Sequence, residues 1–526
     1  MLLVGLPLLI LAAHVRAQAQ WRWPNAQLDA LDHARWDQNG YNALGIATHI
    51  TPCDKWLSDR FTGRENAADF IRTAFHDVAT FDQSTGLGGL DASIRFVEEQ
   101  SRPENPGDGF DRAFSRLKPT ASRHVSLADI VALGLVYSVE NCGGPEIPFR
   151  GGRVDASEPN VPGVPEPHQD LPSHIAAFSR LGFTQEEMIG LVACGHTIGG
   201  VQNSAFPNLV PKLNDPKNTQ SSTHFDSTDF NFDNTVATEY ISGTTTNPLV
   251  VAANDTMNSD KRIFAADGNV TMSAFARSPE LFADTCAKLF ARMINIVPRD
   301  VEAGMTDIVQ PLSVRPHGVS VVHDVDAKVL SLSGEVRLWS TANSSVQLAV
   351  ARKDGAAPLI FNATHSDSMK SSAAGGRYNF TWYGFAAALP LADAPEEVKF
   401  WFIVDGKTED QGGAAYAIQR DVVHSSTSCR TASFDKARWD VVVRSGTLVA
   451  KVFLEVDSSD STGKPVVSST ELALRIPGAA YDIWSVTLPP SMGSNLNVAA
   501  LLMDGSTIPG FGKRSIWSLP ACTDVI

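Results

Sequence analysis

Between residues 297 and 319 the chain changes texture, and one architecture cannot serve both sides of that change. Upstream, from about residue 25 to 310, apolar residues recur at helical spacing between Pro/Gly-rich loops. Helices are expected at 66–81, 126–140, 185–192 and 279–296. Downstream of Val319 come short β-branched and aromatic runs separated by turns such as Lys353-Asp354-Gly355 and Asp405-Gly406, which read as strands. At 526 residues the chain also exceeds what one hydrophobic core supports. The expected fold class is therefore multidomain: a mainly α domain at 20–310, then all-β, sandwich-like structure.

The β region echoes itself once. Tyr378 to Trp382, then Val398 to Gly406 and Cys429, is matched by Tyr481 to Trp484, then Leu496 to Gly505 and Cys522. Two sandwich-like units, 319–428 and 429–526, are expected, with one irregular β domain as the alternative.

Residues 1–19 hold an apolar run followed by small residues and resemble a secretory leader, although the positive start is missing. No other run is long and apolar enough to span a bilayer. A secreted, extracellular protein is expected. Acceptor sequons at Asn254, Asn269, Asn343, Asn362 and Asn379 and six dispersed cysteines agree with that compartment. Cys53 with Cys142 and Cys429 with Cys522 are the preferred disulfides, while Cys194 and Cys286 stand in helical, apolar contexts that suit free thiols. A formal net charge of -15, with no dense Lys/Arg cluster, argues against nucleic acid as a partner.

Two stretches carry chemistry. In Phe70-Ile71-Arg72-Thr73-Ala74-Phe75-His76-Asp77 the helical spacing puts Arg72 and His76 four residues apart on one face. A neutral His can carry a proton between two substrate atoms while an Arg stabilises developing negative charge. The second stretch opens with Thr184 and Glu187, a capping box that marks a helix start, and closes on His196.

Together these residues resemble the plant and fungal haem peroxidase superfamily, and more closely its secreted fungal members, over roughly residues 45–310. The matching stretches are Arg72-x-x-Phe75-His76-Asp77, Val192-Ala193-Cys194-Gly195-His196-Thr197, Val125 to Asp129, Pro148 to Ala156 with Arg153, Pro165-Glu166-Pro167 and Asn258-Ser259-Asp260. The resemblance implies a haem b with His196 as the axial iron ligand and Asp260 accepting that ligand's other N–H. It implies that His76 moves a proton between the oxygens of hydrogen peroxide while Arg72 stabilises the leaving hydroxide. Asn105 would hold the tautomer of His76, with Glu99 completing the hydrogen-bond chain. Phe75, Phe225 and Pro165 would line the cofactor.

The resemblance further implies two calcium ions, one distal at Asp77, Gly89, Asp91 and Ser93 and one proximal at Thr197, Asp226, Thr228, Asn231 and Asp233. Phe75 and Phe225 replace the tryptophans of the intracellular branch. Leu191 replaces the exposed tryptophan of the lignin-peroxidase type. Of the manganese-peroxidase carboxylates, Glu65 and Asp69 are present and the third position is Gln202, so these two read as a solvated helix face before they read as a cation site. The implied activity is oxidation of a small aromatic, phenolic reductant at the haem edge by a monomeric enzyme. The alternative is a non-catalytic wall or carbohydrate-binding protein with a vestigial peroxidase fold. Contact with cell-wall polysaccharide would then run through Trp339, Trp382, Trp401, Trp439 or Trp484, each of which reads first as core.

Overall fold

The computed structural model describes residues 21–339, 344–366, 369–489, 495–509 and 512–523. The leader-like residues 1–19 and the sequon at Asn343 lie outside the described residues. Of the other four sequon asparagines, Asn254, Asn362 and Asn379 are exposed and Asn269 is half-buried.

Six helices position the site: α1 (Ala26–Trp36), α2 (Asn66–Val78), α3 (Leu127–Asn141), α4 (Gln185–Gly195), α5 (Ser259–Phe264) and α6 (Pro279–Ile294). On α2 the apolar residues Phe70, Ile71, Ala74 and Val78 are buried against the core, which leaves Arg72 and His76 facing a cavity. The helix ends three residues sooner than expected, where the Thr80 hydroxyl takes the Asp77 carbonyl. Behind α2 lies α3, buried from Leu127 to Glu140. Its first amides are held by the Ser126 hydroxyl and by the carboxylate of Asp155. The expected Thr184–Glu187 capping box starts α4, which runs on to Gly195 and delivers His196 as its C-cap residue.

The sequence reading of Cys194 and Cys286 as free thiols is corrected by the packing of α4 on α6. That contact brings the two Cα atoms to 5.5 Å, and the residues form a disulfide. The other pairs, Cys53–Cys142 and Cys429–Cys522, are bonded as expected.

Near the site a short hairpin, β1 (Gly200–Gln202) and β2 (Ser222–His224), carries the chain onward from His196. The β region follows: β3 (Val314–Asp324), β4 (Val329–Trp339), β5 (Val346–Val350), β6 (Tyr378–Pro390), β7 (Val398–Val404), β8 (Val422–Ser425), β9 (Ala437–Arg444), β10 (Val449–Ser459), β11 (Pro465–Ile476), β12 (Tyr481–Leu488) and β13 (Asn495–Leu502). One extended sheet runs β6-β4-β3-β8-β9-β12-β11-β10-β13, antiparallel except where β8 pairs in parallel with β3. A second sheet built on β5 and β7 faces the β3/β4/β6 end, and Val321, Leu332, Leu348, Phe385, Phe400 and Phe402 fill the space between. A separate apolar cluster around Trp439, Val441, Leu454, Leu472 and Val498 serves the C-terminal strands.

The echoed segments are placed differently: β6 and β7 lie in different sheets, while β12 and β13 lie in the same extended sheet. In each copy the two strands, β6 and β7 or β12 and β13, pair with other strands and, among the described residues, not with each other. The two halves are nonetheless joined through β8, which hydrogen-bonds to both. The boundary on the other side is also shared, because Phe380 and Trp382 of β6 belong to the same apolar cluster as the helices. Of the five tryptophans weighed as a binding surface, Trp382 and Trp439 are fully buried and the other three are half-buried.

Candidate active site

A cavity with about 1430 Å³ of empty space, its mouth included, opens between α2 and α4. Arg72, Phe75 and His76 line one wall and Leu191, His196 and Phe225 another. The two histidines are wired differently. On the α2 side His76 Nδ1 lies 2.6 Å from Asn105 Oδ1, and Asn105 Nδ2 donates to the Glu99 carbonyl at 2.8 Å. That carbonyl can only accept, so it orients the amide with its oxygen toward the ring. Nδ1 therefore carries the proton and Nε2 keeps its lone pair. Burial, and then the charge of Arg72, hold the His76 pKa well below its ordinary value, with the Asn105 bond opposing the shift. The ring is neutral and basic at Nε2.

Arg72 is anchored by one guanidinium nitrogen on the Pro106 carbonyl at 2.9 Å and lies over the Phe110 ring at 4.5 Å. Burial lowers its pKa to about 10, which still leaves it charged at neutral pH. Glu99 completes the hydrogen-bond chain as expected. Glu99 takes part through its backbone carbonyl, while its carboxylate accepts the Asn160 amide instead.

Across the cavity His196 Nδ1 lies 2.8 Å from Asp260 Oδ2. Asp260 is 1% exposed, so it is no solvated cap, and it also accepts from Asn247 Nδ2 at 2.8 Å. With the Ser259 hydroxyl on its other oxygen, the carboxylate is held in place and accepts the Nδ1 proton of the ring, which turns Nε2 toward the cavity as the nitrogen with the free lone pair. Phe225 stacks on the imidazole at 4.2 Å with 10° between planes. Asn247 was not singled out from sequence. Its signal is the pair Asn247-Pro248, a capping residue before a first-turn proline, which marks a helix start and says nothing of the second bond.

The two expected cation positions differ. On the proximal side Thr197, Thr228 and Asp233 cluster with Asp226, whose Oδ2 is buried without a hydrogen-bond donor. Burial, and then the neighbouring Asp233, push the Asp226 pKa up to about 7. An orphaned carboxylate oxygen among hydroxyl and carbonyl oxygens fits a hard cation. On the distal side the Asp77 carboxylate already accepts the amides of Asp91, Ala92 and Ile94. Asp91 and Ser93 converge, at 2.9–3.1 Å, on the amide nitrogen of Asn160. In this structure that nitrogen fills the place a cation would take, and the Asn160 amide would have to withdraw for a cation to bind. Nothing in the spacing around Asn160 announces it.

Glu65 and Asp69 are 2% and 5% exposed, which corrects the reading of a solvated helix face. Asp69 is held by Arg64 at 3.1 Å and by the Trp56 indole at 3.3 Å. Gln202 and Pro165 line the cavity, and Leu191 is buried in its wall. Two other matched residues turn out to be scaffolding. Asp129 and Arg153 form a buried pair at 2.8 Å, and Arg153 also ties the end of α6 through the Ile294 carbonyl.

The fold and site define a class: a mainly helical domain whose central cleft sits between a basic imidazole beside an arginine and an imidazole backed by a buried carboxylate. A family model described as Peroxidase matches residues 53–278. A WSC domain-containing protein of Arthroderma benhamiae is 35% identical over 379 residues, 71% of this chain and 51% of that protein. L-ascorbate peroxidase 5, peroxisomal, of Arabidopsis thaliana is 30% identical over 225 residues, 41% of this chain and 75% of that protein. A putative heme-binding peroxidase of Aspergillus fumigatus is 34% identical over 156 residues, 28% of this chain and 47% of that protein. The chain belongs to the peroxidase family, within the plant and fungal haem peroxidase superfamily. It spans about half the length of the first of these relatives.

Proposed function

We propose that this chain is an extracellular haem peroxidase that reduces hydrogen peroxide at the expense of small phenolic donors. The observation that carries the reading is the pairing of a neutral, Asn105-oriented His76 beside Arg72 with an Asp260-backed His196 across one cavity. The apolar walls and the free lone pair of His196 Nε2 fit haem b, and His196 would hold its iron. Bound there, haem would take up two oxidising equivalents from peroxide and return them one at a time to the donor.

The chain's own residues handle the protons. His76 Nε2 accepts the proton from one peroxide oxygen and returns it to the other, so that the leaving oxygen departs as water. The Arg72 guanidinium stabilises negative charge on that oxygen until the proton arrives. Asp260 keeps the His196 ring oriented and electron-rich. One turnover consumes one peroxide and two one-electron donors, each giving up an electron and a proton, and forms two waters. Donors would approach at Pro165–Pro167, on the cavity wall. A proximal calcium is supported by the orphaned Asp226 oxygen, and a distal one requires Asn160 to move. Secretion is supported by the leader-like start and by three disulfides.

The test is an optical spectrum of the purified full-length protein, followed by peroxide-dependent oxidation of a phenol, with a His76→Leu control. A Soret band and turnover lost in the control are expected. Absence of the band, or equal turnover in the control, sinks the reading.

A further inference from the structure

We propose that Glu65, His224 and Asp229 form a binding site for a borderline divalent metal ion of the zinc class, separate from the cavity between the histidines. One ligand atom from each residue lies within 4.8 Å of the others. They come from three places in the chain: Glu65 is the N-cap of α2, His224 ends β2, and Asp229 lies in the loop beyond. None of the three lines the central cavity.

The second observation concerns Glu65. Its side chain is 2% exposed, and Oε2 is buried with no hydrogen-bond donor. Beside it stands instead another carboxylate, with an oxygen of Asp229 within 4.8 Å. Two acceptors face to face need a proton or a cation between them, because two ionised carboxylates at that range repel. Burial and Asp229 accordingly push the Glu65 pKa well up while no ion is bound. His224 closes the third side, with Nε2 at 3.5 Å from Asp229 Oδ2 and 3.3 Å from the Gly63 carbonyl; both are acceptors, so an ion entering here would displace the Nε2 proton.

One imidazole and two carboxylates suit zinc or a neighbouring transition ion better than calcium, which takes oxygen alone. All three residues border a second cavity with about 1100 Å³ of empty space, its mouth included, where water can supply a fourth ligand. Asp54 adds a further negative charge to that cavity, and Arg60 and Lys217 oppose it. A tetrahedral zinc site needs ligand atoms about 3.3 Å apart, so binding would draw the three side chains inward. The ion would then tie the start of the helix carrying His76 to the strand that ends one residue before Phe225, the ring stacked on His196.

The site is independent of haem, and zinc binding is read without any activity measurement. Full-length protein is stripped with a chelator, returned to excess calcium so that hard-oxygen sites are filled, and titrated with zinc by calorimetry. One zinc per chain is expected. Glu65→Gln and His224→Ala should each weaken binding by roughly tenfold or more, in protein whose circular dichroism matches the parent. X-ray absorption on the zinc-loaded parent needs no variant and should show a shell containing one imidazole and at least two carboxylate or water oxygens. No stoichiometric zinc, unchanged affinity in His224→Ala, or a shell without imidazole would each overturn the proposal.

Discussion

Residue by residue, function turns on which atom of each side chain is free. Asn105 decides this for His76 and Asp260 for His196, each by accepting at Nδ1. His76→Leu should cut peroxide-dependent turnover by about 10²–10⁴-fold while the haem spectrum is retained. Asn105→Val should lower turnover less, by releasing the tautomer. Glu99→Gln should leave the His76 bond intact, since only the Glu99 carbonyl takes part. The pH profile follows from the depressed His76 pKa, which keeps the ring neutral well below the ordinary histidine value. Activity should therefore hold as pH falls through 6.5 and fail only at lower pH; steady-state rates that fall with a midpoint near 6.5 would contradict that wiring. The same shift has a stability sign. Between the two pKa values the unfolded chain binds the extra proton, so this group's contribution is present above the unfolded pKa and is lost as pH falls.

Among the elements, α4 is fastened twice at its C-terminal end, by Cys194–Cys286 to α6 and through Thr197 to the proximal oxygen cluster. Replacing both cysteines by alanine removes a link across 92 residues and should cost roughly 2–4 kcal/mol of unfolding free energy, read by denaturant titration. The oxygen cluster predicts an opposite pH trend from His76. Without a cation, Asp226 has a raised pKa near 7, so the folded state binds the extra proton between pH 3.8 and 7. The stabilising effect of that protonation is full below 3.8 and disappears as pH rises through 7. Chelator-treated protein should thus gain most from added calcium above pH 7, as a rise in thermal midpoint; an equal gain at pH 5 would argue against Asp226 as a ligand.

At the scale of the whole molecule, the helical and β regions are fastened by a charge cluster that no motif announces. Asp29, Asp32 and Asp37, on or just after α1, meet Arg315 of β3 and Arg337 of β4; Arg315 reaches Asp29 and Asp37 at 2.9 Å, and Arg337 reaches Asp32 at 2.6 Å and Asp37 at 2.7 Å. Asp32, Asp37 and both arginines are fully buried. Arg337→Met leaves buried carboxylates uncompensated and should destabilise by roughly 3–5 kcal/mol in chemical denaturation. Arg337→Met combined with Asp32→Asn should recover part of that loss, because the pair is removed together. Phe380 and Trp382 add apolar area to the same junction, so the two regions should unfold in one transition in calorimetry.

Sequence alone determined the helix-to-strand change, the starts of the main helices and the placing of Arg72, His76 and His196, because these rest on local periodicity, capping and short motifs. It also paired Cys53 with Cys142 and Cys429 with Cys522. Tertiary structure decided what depends on contacts between distant segments. Asn160 meets Asp91 69 residues away, Asp229 meets Glu65 from another element, and Cys194 meets Cys286 only because α4 packs on α6. Burial decided the rest: it turned Glu65 and Asp69 from a surface pair into an orphaned carboxylate and an ion-paired one, a difference of environment that identity and spacing do not encode.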